Sequence, residues 1–482
     1  MDFRNEALLA LEGATERVGS LLKKPSIRLG VTGLSRAGKT VFITALVHNL
    51  LKTGRLPGFD AARGGRIKRI TLDPQPDNLV PRFQYETHID ALIDDRTWPS
   101  STRSISELRL RVEFESESFV SRQLGSGVLN IDIVDYPGEW LLDLALLDKS
   151  YEQWCADAME QARLPNRAEL AKNWLVAASA IDPTAKADEA QAQELHDVFA
   201  AYLRACRKDA TALSALPPGR FLMPGDMAGA PALTFAPLPV IENVKPVRGS
   251  WHALMASRFD AYKKQLVYPF FREHFARLDR QIVLVDALQA LNAGPAAISD
   301  LQRALTDILS AFRTGRGSLL SWLLQRQIDK IAFVATKADH VHHGDHDRLA
   351  ALLGVLVEDA IGRAQMSDVD MKTLALASVR STREAQLKQD GETVPVLVGT
   401  PVAGETIGDR TFDGNTEGAV FPGDLPAKPR KLIEAGTDYS GQMKFVRFRP
   451  PNVGETAEGQ MQPLPHIRLD ETMQFLFGDR LA

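Results

Sequence analysis

Two hydrophobic periods alternate along this chain. Short continuous apolar blocks read as buried strands: SIRLGVT (26–32), VLNIDIVDYPGEW (128–140), QIVLVDAL (281–288), DKIAFVATKADHV (329–341) and KTLALASVRST (372–382). Between them lie longer stretches with helical spacing: VFITALVHNLL (41–51), most of 141–210, about 251–277, 296–325 and about 346–365. Strands separated by helices predict an α/β fold with a mostly parallel sheet and helical crossovers. ELRLRVEFES (107–116) alternates apolar and polar residues and is expected at a sheet edge. Residues 54–104 read as irregular and 213–250 as a Pro/Gly-rich loop. From about 395 the text turns to Gly, Pro and Thr with short strands such as MKFVRFR (443–449), then closes on a helix, DETMQFLFGDRL. At the N-terminus Leu8, Leu11, Val18 and Leu22 mark an amphipathic helix, which would dock on the core or, more sharply, meet a membrane surface or a second copy.

Composition narrows the class only a little. Charged residues make up 24% of the 482, hydrophobic residues 44%, and the net charge is −4. This is ordinary globular composition, long enough for about three domains, and too acidic for a dedicated nucleic-acid binder. No apolar run is long enough to span a bilayer. Cys155 and Cys206 sit in helical text as small buried hydrophobes. The expected location is the cytoplasm, with a peripheral membrane link left open.

The chemistry begins at GLSRAGKT (33–40), which fits G-x-x-x-x-G-K-[ST] between a strand and a helix. Gly33 and Gly38 free the backbone, so the amides of Gly33, Ser35, Arg36, Ala37, Gly38 and Val41 can surround phosphate oxygens. Lys39 would reach the β- and γ-phosphates and Thr40 would bind magnesium. Asp135-Tyr136-Pro137-Gly138 ends a later buried strand. Its carboxylate can hold magnesium through water, and the amide of Gly138 can swing to the γ-phosphate. Thr336-Lys337-Ala338-Asp339 ends another strand. Asp339 can accept two hydrogen bonds from a guanine edge, while the Lys337 stem covers the base.

In this order the motifs make the chain resemble a Ras-like P-loop GTPase. IRLGVTGLSRAGKTVFITALVHNL, IVDYPGEW, FVATKADHV and LPHIRLDETMQFLFGDRLA are similar to the YcjX family of bacterial stress-linked GTPases. The resemblance implies GTP/GDP and Mg2+ as ligands, slow GTP hydrolysis and a role in stress response. It places Ser378 and Val379, after the last strand, against the guanine oxygen. The chain is expected to divide into an N-terminal helix (1–25), a GTPase core in two parts (26–140 and 278–394) and a small C-terminal β-rich domain (395–482), with a mostly helical insertion (141–277) where a minimal GTPase has only a short connection. By position in WPSSTRS, Thr102 is expected to complete the magnesium shell in the first switch, with Thr97 as the alternative. Arg96 and Arg103 are nearby candidates for an internal arginine finger.

Glu139 occupies the place where Ras-like enzymes carry a water-orienting glutamine. An ionised carboxylate cannot donate to the γ-phosphate, which implies slow turnover if Glu139 faces the nucleotide; otherwise it caps the following helix. Three readings follow: a GTP hydrolase acting as a switch on a protein effector, a guanine-nucleotide-dependent scaffold with negligible turnover, or a P-loop ATPase, which Asp339 disfavours. HVHHGDHD (340–347) could ligate zinc or nickel, but its spacing fits no standard closed site and a solvated loop is expected.

Overall fold

The computed structural model describes residues 25–482 except 35, 53–55, 101–103, 118–126, 210–216, 225–226, 228, 241–245, 311–327, 365–368, 390–391 and 455–460. The expected N-terminal helix therefore lies outside the described residues. Seven strands build the central sheet: β1 Ser26–Gly33, β2 Ile67–Asp73, β3 Ser106–Phe114, β4 Gly127–Asp135, β5 Arg280–Val285, β6 Lys330–Ala335 and β7 Asp370–Ala375. Their order is β2-β3-β4-β1-β5-β6-β7. From β4 through β7 every pairing is parallel, while β3 is antiparallel to both β2 and β4.

Helices cover both faces, which is why the central strands are continuously apolar. Along β5, Ile282 and Leu284 join one core and Val283 and Val285 the other. The first core holds the helices Lys39–Lys52 and Tyr85–Ile93 and the closing helix Leu469–Phe477. The second holds the helices between β4 and β5 and those of Ala287–Ala293, Pro295–Ser310 and His346–Ala364.

Residues 54–104 are not irregular throughout, since they contain β2 and the helix Tyr85–Ile93. β2 covers β3, so β3 is not an edge strand. A register shift between Ile67 and Arg69, and the exposed Lys68 and Arg69, blur the alternation that would have marked β2. β7 stops at Ala375, leaving 376–382 as a loop, and 443–449 contributes only a bridge from Phe448 to Pro401.

Between β4 and β5 stand the helices Tyr151–Ala162, Ala168–Ser179, Glu189–Lys208 and Trp251–Tyr262. Aromatic rings fill their centre: Trp154 stacks on Phe259 at 5.2 Å and Trp174 on Tyr202 at 5.4 Å. Cys155 and Cys206 are both buried there. A buried Arg167–Asp300 ion pair ties these helices to Pro295–Ser310. Beyond β7, β8 Arg383–Gln389 and β9 Glu392–Gly399 form a small antiparallel sheet with Gly418–Val420. The closing helix is latched by the Asp470 carboxylate, which accepts from Gly58 N at 2.7 Å. Among the described residues no helix is long and apolar enough to cross a membrane.

Asp143 links the helical segment to the sheet. It accepts from the Tyr262 hydroxyl at 2.6 Å and from Gly219 N at 2.7 Å. Burial nevertheless pushes its carboxyl up to about 6. The folded state therefore holds this proton more tightly than the unfolded chain, and the associated stability is lost as pH rises from about 4 to about 6. Denaturant unfolding of wild type and Asp143→Asn at pH 4 and pH 7 should show the gap moving in favour of the variant at the higher pH, by at most about 3 kcal/mol. A gap independent of pH would contradict this assignment.

Candidate functional site

The candidate phosphate loop, GLSRAGKT (33–40), leaves the C-terminal end of the central strand β1. Gly38 has φ +80° and Arg36 φ +65°, both left-handed, so a non-glycine residue carries backbone strain inside this turn. The helix Lys39–Lys52 begins at once, and its first turn places Lys39 and Thr40 at the mouth. Because β1 pairs with β4 and sets Val31 opposite Asp135, the Asp135 carboxylate meets Lys39 in an ion pair. Three residues later Gly138 lies directly on the loop: a Cβ there would sit 2.0 Å from the Gly33 carbonyl oxygen. Only glycine tolerates that approach.

The second motif sits across β5 and β6. Thr336 N donates to Val285 O at 2.9 Å. Lys337 adopts φ +63° and pairs with Asp286, whose carboxylate also caps the helix Ala287–Ala293 through Gln289 N at 3.1 Å. Asp339 is buried, and its Oδ2 accepts from Ser381 N at 2.9 Å and Ser381 Oγ at 2.5 Å. Thr382 Oγ1 donates to Asp339 O at 2.6 Å, and Ala338 N to Leu376 O at 3.1 Å. The two loops after β6 and β7 are thus fastened to each other, and the Asp339 carboxylate has one orientation.

One cleft of about 890 Å³ joins both motifs. Gly33, Arg36, Ala37, Gly38, Lys39, Thr40, Val41, Gly138, Glu139, Thr336, Lys337, Asp339, Ser378 and Val379 all line it. Asp135 is reached through Lys39. Ser35, Thr102 and Arg103 lie outside the described residues. Thr97 and Arg96 turn away: Thr97 Oγ1 donates to Ala91 O at 3.4 Å and Arg96 Nε to Pro450 O at 3.2 Å. Their segment still approaches the loop, since Thr40 Oγ1 is 3.4 Å from Ser100 O.

Several lining residues escaped the sequence reading. Asp286 follows β5, and Ser381 lies three residues beyond Ser378 in the loop after β7. Phe445, Val446, Arg447 and Phe448 wall the cleft together with Glu405. Trp98 donates from Nε1 to Phe448 O at 2.7 Å, joining that wall to the segment ahead of β3. The Trp98–Phe448 contact joins residues 350 positions apart, and no local spacing encodes it.

Glu139 is the first residue of the short helix Glu139–Leu142, and the N-cap position belongs to Gly138. It faces Arg207, whose guanidinium lies 3.0 Å from Glu139 Oε1. The histidine run is split rather than solvated as one loop. His340 is half-buried against Phe448 and Phe445, and desolvation holds it below the ordinary imidazole range. His346 Nε2 meets Ala338 O at 3.0 Å. His342 and His343 converge on Glu384, their nearest ligand atoms and its carboxylate lying within 4.8 Å of one another. Burial acts to raise the Glu384 carboxyl, but the His343 and His342 contacts outweigh it and hold the carboxyl low, so the cluster is internally satisfied.

Residues 27–481 match the YcjX-like family, DUF463, and the chain belongs to that family. It is 39% identical over 468 residues to the Ras-like GTPase YcjX of Escherichia coli (strain K12), covering 94% of this chain and 96% of the relative. It is 32% identical over 496 residues to the Ras-like GTPase YcjX of Shewanella oneidensis (strain MR-1), covering 98% and 99%.

The Gly138 contact makes a direct prediction. Gly138→Ala should force the Asp135–Glu139 turn off the phosphate loop and destabilise the protein by about 1–3 kcal/mol, as overpacking does. Thermal melting reads the loss, and hydrogen exchange of the 33–40 amides should rise with it. An unchanged melt would show that the two loops are not in the stated contact.

Proposed function

We propose that this chain is a guanine-nucleotide-binding Ras-like GTPase that converts GTP to GDP and phosphate slowly and acts as a magnesium-dependent switch. The observation that carries the reading is the single cleft with the phosphate loop at one end and the clamped Asp339 at the other. The names of the two relatives support it.

Each residue then has a task. The amides of the loop 33–41 solvate the phosphates, aided by the dipole of Lys39–Lys52. Lys39 exchanges Asp135 for phosphate oxygens. Asp339 accepts from guanine N1–H and the exocyclic amine, for which adenine has no equivalent pair. The Lys337 stem and the residues 445–448 enclose the base, and Ser378 and Val379 meet its oxygen. Thr40 and Asp135 offer the hard oxygen donors that magnesium prefers, so Thr40 would bind it directly and Asp135 through water, with Thr102 joining in the triphosphate state. The metal would supply positive charge to the β- and γ-phosphates.

Slow turnover follows from Glu139, which cannot donate to the γ-phosphate as a glutamine would. The same residue favours a second reading, a scaffold that binds GTP with negligible turnover. Multiple-turnover phosphate release separates the two: a measurable rate well below about 1 per second supports the switch, and none supports the scaffold. The helical segment and the C-terminal segment both wall the cleft, so either would carry the nucleotide state to a protein effector within a bacterial stress response in the cytoplasm.

Two variants test the assignments. Lys39→Ala should weaken GTP and GDP binding by several kcal/mol in calorimetry, because a charge-assisted phosphate contact is lost from a partly dry site. Unchanged affinity in a folded variant would remove the loop from the phosphate site. Asp339→Asn should exchange guanine for xanthine preference, with a loss for guanine of a few kcal/mol. If the variant keeps its guanine preference in competition binding, another group reads the base.

A further inference from the structure

Among the described residues five cations line the cleft: Arg36, Lys39, Arg207, Lys337 and Arg447. Only Arg207 comes from the helices between β4 and β5, where it stands in the last turn of Glu189–Lys208. It lies at the phosphate end, because its partner Glu139 follows the glycine that packs on Gly33. Its side chain is 26% exposed and that of Glu139 is 7% exposed. Although the pair is 3.0 Å apart, Glu139 Oε1 accepts no aligned hydrogen bond. Charge holds the two together without the bidentate fork that would lock an arginine to a carboxylate.

The helical segment is seated on the same turn. A Cβ on Gly219 would lie 2.2 Å from the Glu139 carbonyl oxygen. Gly219 N donates to Asp143, and the Arg220 guanidinium lies 3.8 Å above the Trp140 ring. Gly219 and Arg220 are thus fastened to the turn that touches the phosphate loop, and the next residue, Phe221, packs on His196 at 4.5 Å and on Phe199 at 6.1 Å, both in the helix that carries Arg207.

We propose that Arg207 is a catalytic residue for GTP hydrolysis, supplied in cis by the helical segment, held on Glu139 and transferred to the γ-phosphate when a triphosphate fills the cleft. This rests on the hydrolytic reading above. Bound GTP places several negative charges near a guanidinium that otherwise faces one carboxylate, and the greater charge density draws it over. In the reaction the water oxygen bonds to the γ-phosphorus as the bond to the β–γ bridging oxygen breaks. The bond pair stays on GDP, one water proton remains on the inorganic phosphate, and the other goes to solvent. Arg207 neutralises the charge that gathers on the bridging and γ-oxygens during this displacement. Glu139 is a positioning residue that holds Arg207 in reserve.

The test uses the full chain with Mg2+: wild type, Arg207→Ala, Arg207→Lys, Glu139→Gln and the double variant Glu139→Gln/Arg207→Ala. Single-turnover GTP hydrolysis, GDP affinity and capture of GDP with aluminium fluoride are measured, with melting curves for fold. Arg207→Ala should slow hydrolysis by about 10²-fold or more and abolish the fluoroaluminate complex while GDP affinity stays within about threefold. Arg207→Lys should recover only part of the rate. The double variant should hydrolyse GTP far more slowly than Glu139→Gln alone. If those two are equal, Arg207 is only the counter-ion of Glu139 and the proposal falls. It falls equally if Arg207→Ala matches wild type, or if wild type binds guanine nucleotides yet neither hydrolyses GTP nor captures the fluoroaluminate. Failure of wild type to bind guanine nucleotides at all would instead sink the underlying reading. Should Arg207→Ala not melt cooperatively, Arg207→Lys decides: hydrolysis at the wild-type rate would overturn the proposal.

Discussion

The contact of Gly138 on the Gly33 carbonyl organises everything around the cleft. Two loops from adjacent parallel strands can touch backbone to backbone only where no Cβ intervenes. That closeness brings Asp135 to Lys39 and starts the Glu139 helix at the rim of the phosphate loop. The helical segment is then seated on the same turn through Asp143, Gly219 and Trp140. Any displacement of the phosphate loop must pass into that segment, because these contacts leave little slack.

The cleft is also organised by charge. Lys39, Lys337, Arg207 and Arg447 are held by Asp135, Asp286, Glu139 and Glu405. In every pair the acid is the more buried partner. The desolvation cost therefore falls on fixed carboxylates, while the cations stay turned toward the opening. An entering polyanion meets cations already in place, with little backbone rearrangement required.

The far wall is built from the end of the chain. Phe445–Phe448 close over His340, and Phe448 O receives the Trp98 indole. Arg449 adds hydrogen bonds to the carbonyls of Asp95 and Arg96. The segment that precedes β3 is thus tied to the wall at the Asp339 end of the cleft. The wall and the position of that segment are mechanically joined.

The sequence by itself determined the strand–loop–helix at 26–51, the strand ends carrying Asp135 and Asp339, the α/β class and the helical character of the stretch after β4. These are local properties: hydrophobic period, glycine placement and motif spacing all act within one or two turns of chain. β2 escaped because a half-exposed strand with a register shift loses its alternation, and 443–449 has strand-like text but runs as a strap whose partners are side chains and carbonyls. Glu139 shows the boundary most clearly. Its position after Gly138 was legible, whereas its pairing with Arg207 was not, nor was the clamping of Asp339 by Ser381. Only the tertiary structure decided those, because the energy of an ion pair or a buried hydrogen bond depends on separation in space, and the packing of the helical segment on the Asp135–Asp143 turn sets that separation across dozens of intervening residues.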